Sequence, residues 1–168
     1  KLGPSVRVII VANWDQFDQL PFWDASDYVA LSAYYPLASG PRADSSVEKL
    51  VEAWRPWQKR ILAVAEKAGK QLYFSEVGYA SVDRAASEPW GWTGNLDLEL
   101  QKRLFEAFGI AWGGDPKISA RLARFQLWAL DFSATPLTDT GFVVIGKPAE
   151  AALVRAFARR AVSALATS

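Results

Sequence analysis

The chain has 168 residues, and its 19 lysines and arginines against 18 aspartates and glutamates leave a formal net charge of +1. This length is about that of one domain, with enough apolar residues for a packed core. The near-zero net charge argues against a nucleic-acid partner. No apolar run approaches the ~20 residues of a membrane span. Cysteine and histidine are both absent, which excludes thiol nucleophiles, histidine-dependent catalysis and zinc sites of the usual kinds, so we expect no metal and no cofactor.

The predicted elements alternate between strand and helix along the whole chain. In chain order they are strand 6–12, one helical turn within 16–27, strand 28–35, helix 46–67, strand 71–75, helix 96–112, strand 124–130 and helix 148–165. Pro56 predicts a kink or a break near Arg55 within the first long helix. This alternation predicts right-handed βαβ units with a parallel sheet, in an α/β fold formed by a single domain, 1–168.

Chemically capable side chains follow the predicted strands, at the end where α/β folds bind ligands. They are Asn13, Trp14, Asp15, Tyr34, Tyr35, Glu76, Trp128 and Asp131. Glu76 stands out because glutamate is a poor strand residue. Strand alternation gives it the face of Leu72 and Phe74, which we expect to point into the mouth of a barrel. The alternative is a structural ion pair with Arg7 or Lys70.

The tryptophans divide into two groups. Those in predicted loops or at strand ends are Trp14, Trp23, Trp90, Trp92 and Trp128, and those on predicted helices are Trp54, Trp57 and Trp112. Apolar platforms beside polar groups suit a sugar ring, so the first group predicts a carbohydrate site, while core packing explains the second. Asp15 and Asp131 are also typical of caps and turns, and Tyr34 and Tyr35 of strand packing.

Three separated motifs resemble, in order, the second half of clan-A glycoside hydrolases, and most of all the β-mannanase-type family 113. They are NWDQFDQLPFWDASDYVALSAYYPL, LYFSEVGYASVDRAASEPWGW, and FQLWALDF followed by GKPAE. The resemblance implies a (βα)4 half of a (β/α)8 TIM barrel, strands five to eight, with Glu76 as nucleophile, Tyr34 as its hydrogen-bond partner and Trp128 under the sugar. The residues predicted to contact substrate are Asn13, Trp14, Tyr35, Trp90, Trp92, Trp128 and Asp131.

The resemblance also implies an activity, retaining hydrolysis of a β-linked polysaccharide such as mannan. The family's general acid/base glutamate ends the fourth strand, and this chain matches from the fifth, so we expect the acid/base to be missing and activity to be weak or lost. Two unpaired edge strands predict a homodimer that completes a barrel. Two alternatives remain open: a non-catalytic carbohydrate-binding domain and a purely structural half-barrel.

Overall fold

The computed structural model describes residues 6–41, 43–133 and 135–165. Within these residues, four strands form one parallel sheet: β1 (Val11–Asn13), β2 (Val29–Ser32), β3 (Leu72–Val77) and β4 (Leu122–Leu127). The helices are α1 (Val47–Ala68), α2 (Leu98–Gly113), α3 (Pro116–Arg121) and α4 (Pro148–Leu165). The spatial order β1-β2-β3-β4 repeats the sequence order, as in half of a (β/α)8 barrel and unlike a doubly wound sheet.

The helices cover one face of this sheet. Leu31 of β2 is fully buried, and three positions beyond the end of β2 Tyr35 packs its ring 5.0 Å from that of Trp57 on α1. On β3, Phe74 meets Trp112 of α2 at a ring separation of 4.8 Å. Successive strand residues point to opposite faces. The strand residues that alternate with these helix-facing side chains therefore lie on the other face of the sheet, which corresponds to the inside of a barrel.

The first long helix, α1, begins and ends with standard capping residues. Ser46 caps α1 by accepting a hydrogen bond from the Lys49 amide, and Gly69 ends the helix with a φ of 64°, as the left-handed cap position requires. The predicted break near Arg55 is wrong, because α1 runs through Pro56 as a single helix of 22 residues.

None of the helices in the described ranges has the length and apolar composition needed to cross a membrane.

The first strand differs most from its predicted range, and the third differs in a way that affects the candidate site. β1 begins only at Val11, because the backbone before it bonds to side chains: the Val8 amide donates to Asp27 at 2.7 Å and the Ile10 amide to Ser26 at 3.0 Å. The third strand instead extends two residues past its predicted end, so Glu76 lies within β3. Its carboxylate is therefore carried by the sheet and not by a loop.

β3 carries one extra residue immediately before Glu76. Leu31 pairs with Phe74, but the next residue of β2, Ser32, pairs with Glu76. Two residues of β3 thus oppose one of β2, which is a β-bulge and reverses the alternation of side chains. The prediction that Glu76 shares a face of the sheet with Phe74 is wrong. Phe74 faces α2, whereas the bulge turns Glu76 to the opposite side, where it meets Tyr34.

Candidate active site

A row of polar side chains crosses the carboxyl ends of three strands. In register, Asn13 of β1 pairs with Ser32 of β2, and Ser32 with Glu76 of β3, so consecutive members are about 5 Å apart. The Ser32 hydroxyl donates to Asn13 Oδ1 at 3.0 Å, and Asn13 Nδ2 donates to Asp15 at 2.9 Å. Sequence reasoning missed Ser32, although the only serine in the apolar run 28–35 was the available signal.

Tyr34 lies just beyond β2 and touches the glutamate directly. Its hydroxyl donates a hydrogen bond of 2.9 Å to Glu76 Oε2. Burial raises the pKa of the Tyr34 phenol well above its usual value, and the hydrogen bond to Glu76 and the negative charge of that carboxylate raise it further. Tyr34 therefore keeps its proton throughout the neutral range and acts as a fixed donor to Glu76.

The cations proposed as structural partners of Glu76 are engaged elsewhere. Arg7 pairs with Asp27 at 3.1 Å, and the Lys70 ammonium donates to the backbone carbonyl of Trp23 at 2.7 Å. Among the ion pairs formed by the described residues, none includes Glu76. Among the described residues, the Glu76 carboxylate thus has a hydrogen-bond donor, Tyr34, that orients it and no ion-pair partner.

Trp128 follows β4 and is held against β3 by backbone contacts. Its amide donates to the Val77 carbonyl at 2.9 Å, and a Cβ placed on Gly78 would overlap the Trp128 carbonyl oxygen and lie 3.0 Å from the Phe142 ring. The peptide bond between Trp128 and Ala129 is cis. The Trp128 side chain remains 49% exposed, so an aromatic surface is available beside the glutamate-bearing strand.

A second aromatic surface lies over the end of β1. Trp14 and Trp90 stack with ring centroids 5.3 Å apart and planes within 6° of parallel. The ring of Trp57 meets Trp14 edge-on at 5.9 Å. Because Trp90 covers one face of Trp14, the open aromatic surface of the pair belongs to Trp90, which is 46% exposed, with Trp92 at 66% two residues further along the same loop.

Comparison with known proteins identifies the family. A family model for Glycoside Hydrolase Family 113 matches residues 6–141, most of the chain. The chain belongs to glycoside hydrolase family 113. No curated protein sequence matches this family 113 chain significantly.

Solved structures of the same family share the fold of this family 113 chain. The GH113 β-mannanase AaManA from Alicyclobacillus acidocaldarius, solved in complex with ManMIm, is 29% identical, with a TM-score of 0.73 over 94% of this chain and 46% of that chain. A GH113 β-1,4-mannanase, 23% identical, has a TM-score of 0.70 over 90% of this chain and 45% of that chain. The chain spans about half the length of these mannanases, so the fold is a half of their TIM barrel.

Two aromatic residues of the family 113 chain do not lie where the sequence placed them. Tyr35 is fully buried on the helix-facing side of the sheet, so the prediction that it contacts substrate is wrong. Trp23 is also buried, and its indole N–H donates to the Phe17 carbonyl at 3.2 Å, so it is a core residue and not part of an exposed platform. Trp54 and Trp112 are buried in the core, as predicted.

Asp131 forms a local turn. Its carboxylate accepts hydrogen bonds from the Ser133 hydroxyl at 2.6 Å and the Ser133 amide at 2.8 Å. The hydroxyl and then the amide of Ser133 hold the Asp131 pKa below its usual value, so this side chain is a carboxylate at neutral pH. In the part of the chain that the structure describes, no three potential metal-ligating side chains lie together.

Proposed function

We propose that this chain is the nucleophile-bearing half of a retaining glycoside hydrolase that cleaves a β-linked mannan. The observation that carries the proposal is the Glu76 carboxylate, oriented by Tyr34 at 2.9 Å at the carboxyl end of β3. Two further points support it: membership of family 113, and similarity to structures named as a β-mannanase and β-1,4-mannanases.

Each residue of this pair has a distinct role in the proposed reaction. Glu76 attacks the anomeric carbon while the glycosidic C–O bond breaks, which forms a covalent glycosyl-enzyme that water then hydrolyses. A neutral Tyr34 orients the attacking carboxylate and neither accepts nor loses a proton during the reaction. The polar row that begins at Asn13 lies next to this centre and is proposed to bind sugar hydroxyls.

We further propose that the acid/base carboxyl comes from a second (βα)4 unit. Retaining hydrolysis needs a second carboxyl group about 5–5.5 Å from the nucleophile, protonated when the leaving group departs. Asp131 does not suit this role, because the hydrogen bonds from Ser133 favour its ionised form. The turnover of the 168 residues by themselves is accordingly expected to be weak or undetectable.

The test supplies the other half of the barrel. The part of the A. acidocaldarius mannanase that this chain does not match is co-expressed with it, and the complex is incubated with mannan and with a 2-deoxy-2-fluoro-mannosyl inhibitor. Mannan cleavage with retained anomeric configuration, and peptide mass spectrometry that places the fluorosugar on Glu76, would support the proposal. A label on another residue would contradict it, and binding of mannooligosaccharide without turnover would favour the non-catalytic carbohydrate-binding alternative.

Trp128→Ala and Trp90→Ala are expected to weaken mannooligosaccharide binding by about tenfold each, the loss typical of truncating an aromatic contact residue. Each side chain is about half exposed, so thermal stability should change little. Calorimetric titration and thermal unfolding measure the two effects, with Phe22→Ala, a similarly exposed aromatic on another loop, as the matched control. A large loss of stability with unchanged binding would identify these tryptophans as core residues.

We propose that the 168 residues, when produced alone, form a twofold dimer in which β4 of each copy pairs with β1 of the other. Apolar side chains are exposed along the β1 edge, including Val8 at 40% and Val11 at 49%, and beyond β4 at Leu130, 58% exposed. Such edges are aggregation-prone unless they are paired, and one isologous interface satisfies both.

Sedimentation equilibrium at micromolar concentration is expected to give twice the monomer mass of 18.5 kDa. Val11→Lys should convert the dimer to monomer, because a lysine on a strand edge opposes pairing. Ile110→Lys, at an exposed position on α2, should leave the dimer intact. A folded monomer of the parent protein would contradict the proposed pairing.

A further inference from the structure

Lys147 is a buried lysine with a complete set of hydrogen bonds. Its side chain has no exposed surface, and its ammonium donates to Ser81 Oγ at 2.6 Å, Asp139 Oδ2 at 2.7 Å and the Gly141 carbonyl at 3.2 Å. Three donors meet three acceptors, which is the condition under which an ammonium group can be buried. Ser81 follows β3, whereas Asp139 and Gly141 belong to the β4–α4 loop, so Lys147 joins these two segments.

The position of Lys147 is not explained by the helix it precedes. Lys147 lies immediately before α4, where the positive end of the helix dipole disfavours a cation and where small polar residues are the usual caps. Its neighbour Asp139 supplies the compensating negative charge, and the Gly141 carbonyl supplies a neutral acceptor. This lysine is therefore placed to serve the β4–α4 loop.

Phe142 lies between two backbone carbonyls that are each held by a buried polar side chain. On one side, the Gly141 carbonyl accepts from Lys147 at 3.2 Å and from the amide and hydroxyl of Ser81 at 3.1 Å, and on the other, the Val143 carbonyl accepts from Gln101 Nε2 at 3.2 Å. Gln101 belongs to α2 and is fully buried. The hydrogen bonds to the Gly141 and Val143 carbonyls restrict the backbone before and after Phe142.

The Phe142 ring in turn packs against the tyrosine that touches the proposed nucleophile. Its centroid is 6.2 Å from that of Tyr34, with the planes at 76° in an edge-to-face arrangement, a geometry favoured by aromatic quadrupoles. Tyr34 has its hydroxyl on Glu76 at 2.9 Å. Phe142 therefore limits the positions that the Tyr34 ring can adopt.

We propose that Lys147 and Gln101 are positioning residues: by holding the carbonyls on either side of Phe142, they keep its ring against Tyr34 and thereby keep the Tyr34 hydroxyl on Glu76. The catalytic meaning of this arrangement rests on the function proposed above, whereas the arrangement itself is tested without any activity measurement.

The test follows the Tyr34 hydroxyl by NMR in the 168-residue protein labelled with [ζ-13C]tyrosine. The chain has five tyrosines, and loss of one signal in Tyr34→Phe assigns that of Tyr34. Glu76→Ala, which removes the acceptor, gives the reference position for a Tyr34 hydroxyl that no longer donates to Glu76. Lys147→Met, which keeps the length of the side chain and removes its three donors, is expected to move the Tyr34 signal towards that reference, although Ser81 still donates to the Gly141 carbonyl.

The control is Lys102→Met on α2, which removes a partly exposed lysine paired with Glu99 and should leave the Tyr34 signal in place. Should Lys147→Met not fold, Phe142→Leu, which removes the ring edge and keeps an apolar side chain, is expected to cause the same displacement. An unmoved Tyr34 signal in the folded variants would overturn the proposal, whether or not Glu76 is the nucleophile. Conversely, a fluorosugar label on a residue other than Glu76 would contradict the proposed function without affecting the NMR result.

Discussion

Glu76→Gln is expected to lower kcat for mannan cleavage on the order of 10⁴-fold or more in the completed barrel, because loss of a covalent nucleophile costs an enzyme at least this much. The amide keeps the shape of the side chain and can still accept the hydrogen bond from Tyr34, so folding and substrate binding should persist. Steady-state kinetics on mannan, with thermal unfolding of the same preparation, measures both.

The matched control is Glu52→Gln, which neutralises an exposed carboxylate on α1 that pairs with Lys49 at 2.9 Å. Surface pairs of this kind contribute little to stability, so this variant should cleave mannan at the parent rate. If Glu76→Gln retained the parent rate, the assignment of the nucleophile would be wrong. If Glu76→Gln lost activity together with its folded structure, a folded Glu76→Asp variant would test the assignment instead. Its carboxylate lies about one methylene further from the anomeric carbon, which should still lower kcat about 100-fold.

Gly78→Ala is expected to destabilise the protein by at least about 2 kcal/mol, the upper range for forcing an added methyl group into a packed site. The new Cβ would overlap the Trp128 carbonyl oxygen, which is part of the backbone and is held next to β3 by the hydrogen bond from the Trp128 amide to Val77. Relief of the overlap requires Trp128 to move, so mannooligosaccharide affinity should fall as well.

Urea unfolding and calorimetric titration measure the two consequences of Gly78→Ala. Gly40→Ala is the control, because a Cβ at Gly40 has no atom within 4 Å and should change the unfolding free energy by no more than about 0.5 kcal/mol. An unchanged urea midpoint for Gly78→Ala would show that Trp128 can move away from β3 without loss of unfolding free energy, which would contradict this prediction.

The order and type of the main elements were predictable because each depends on local composition. Continuous apolar runs identify buried parallel strands, and apolar residues at helical spacing identify α1, α2 and α4. The half-barrel fold and the family followed from three ordered motifs, and both are confirmed. The boundaries were less predictable, because side chains distant in sequence, such as Asp27 beside Val8, replace part of the first strand.

The identity of the residues that face the site depended on information absent from local pattern. Tyr34 and Tyr35 are adjacent and chemically alike, yet alternation sends one to Glu76 and the other among the helices. Which one reaches Glu76 depends on which face the helices cover, and this is settled by packing of the whole sheet. The bulge that redirects Glu76 is likewise visible only in the pairing of β3 with β2.

The residues that support the site were the least accessible to sequence reasoning. Lys147 contacts Ser81 across 66 positions of the chain, and Gln101 contacts Val143 across 42. No local periodicity connects residues so far apart, and each alone is typical of a solvent-exposed position. The amino-acid pattern was thus enough to locate a carboxylate at a strand end, whereas its orientation, its donor and the packing behind that donor arise from long-range contacts that form only when the sheet and helices assemble.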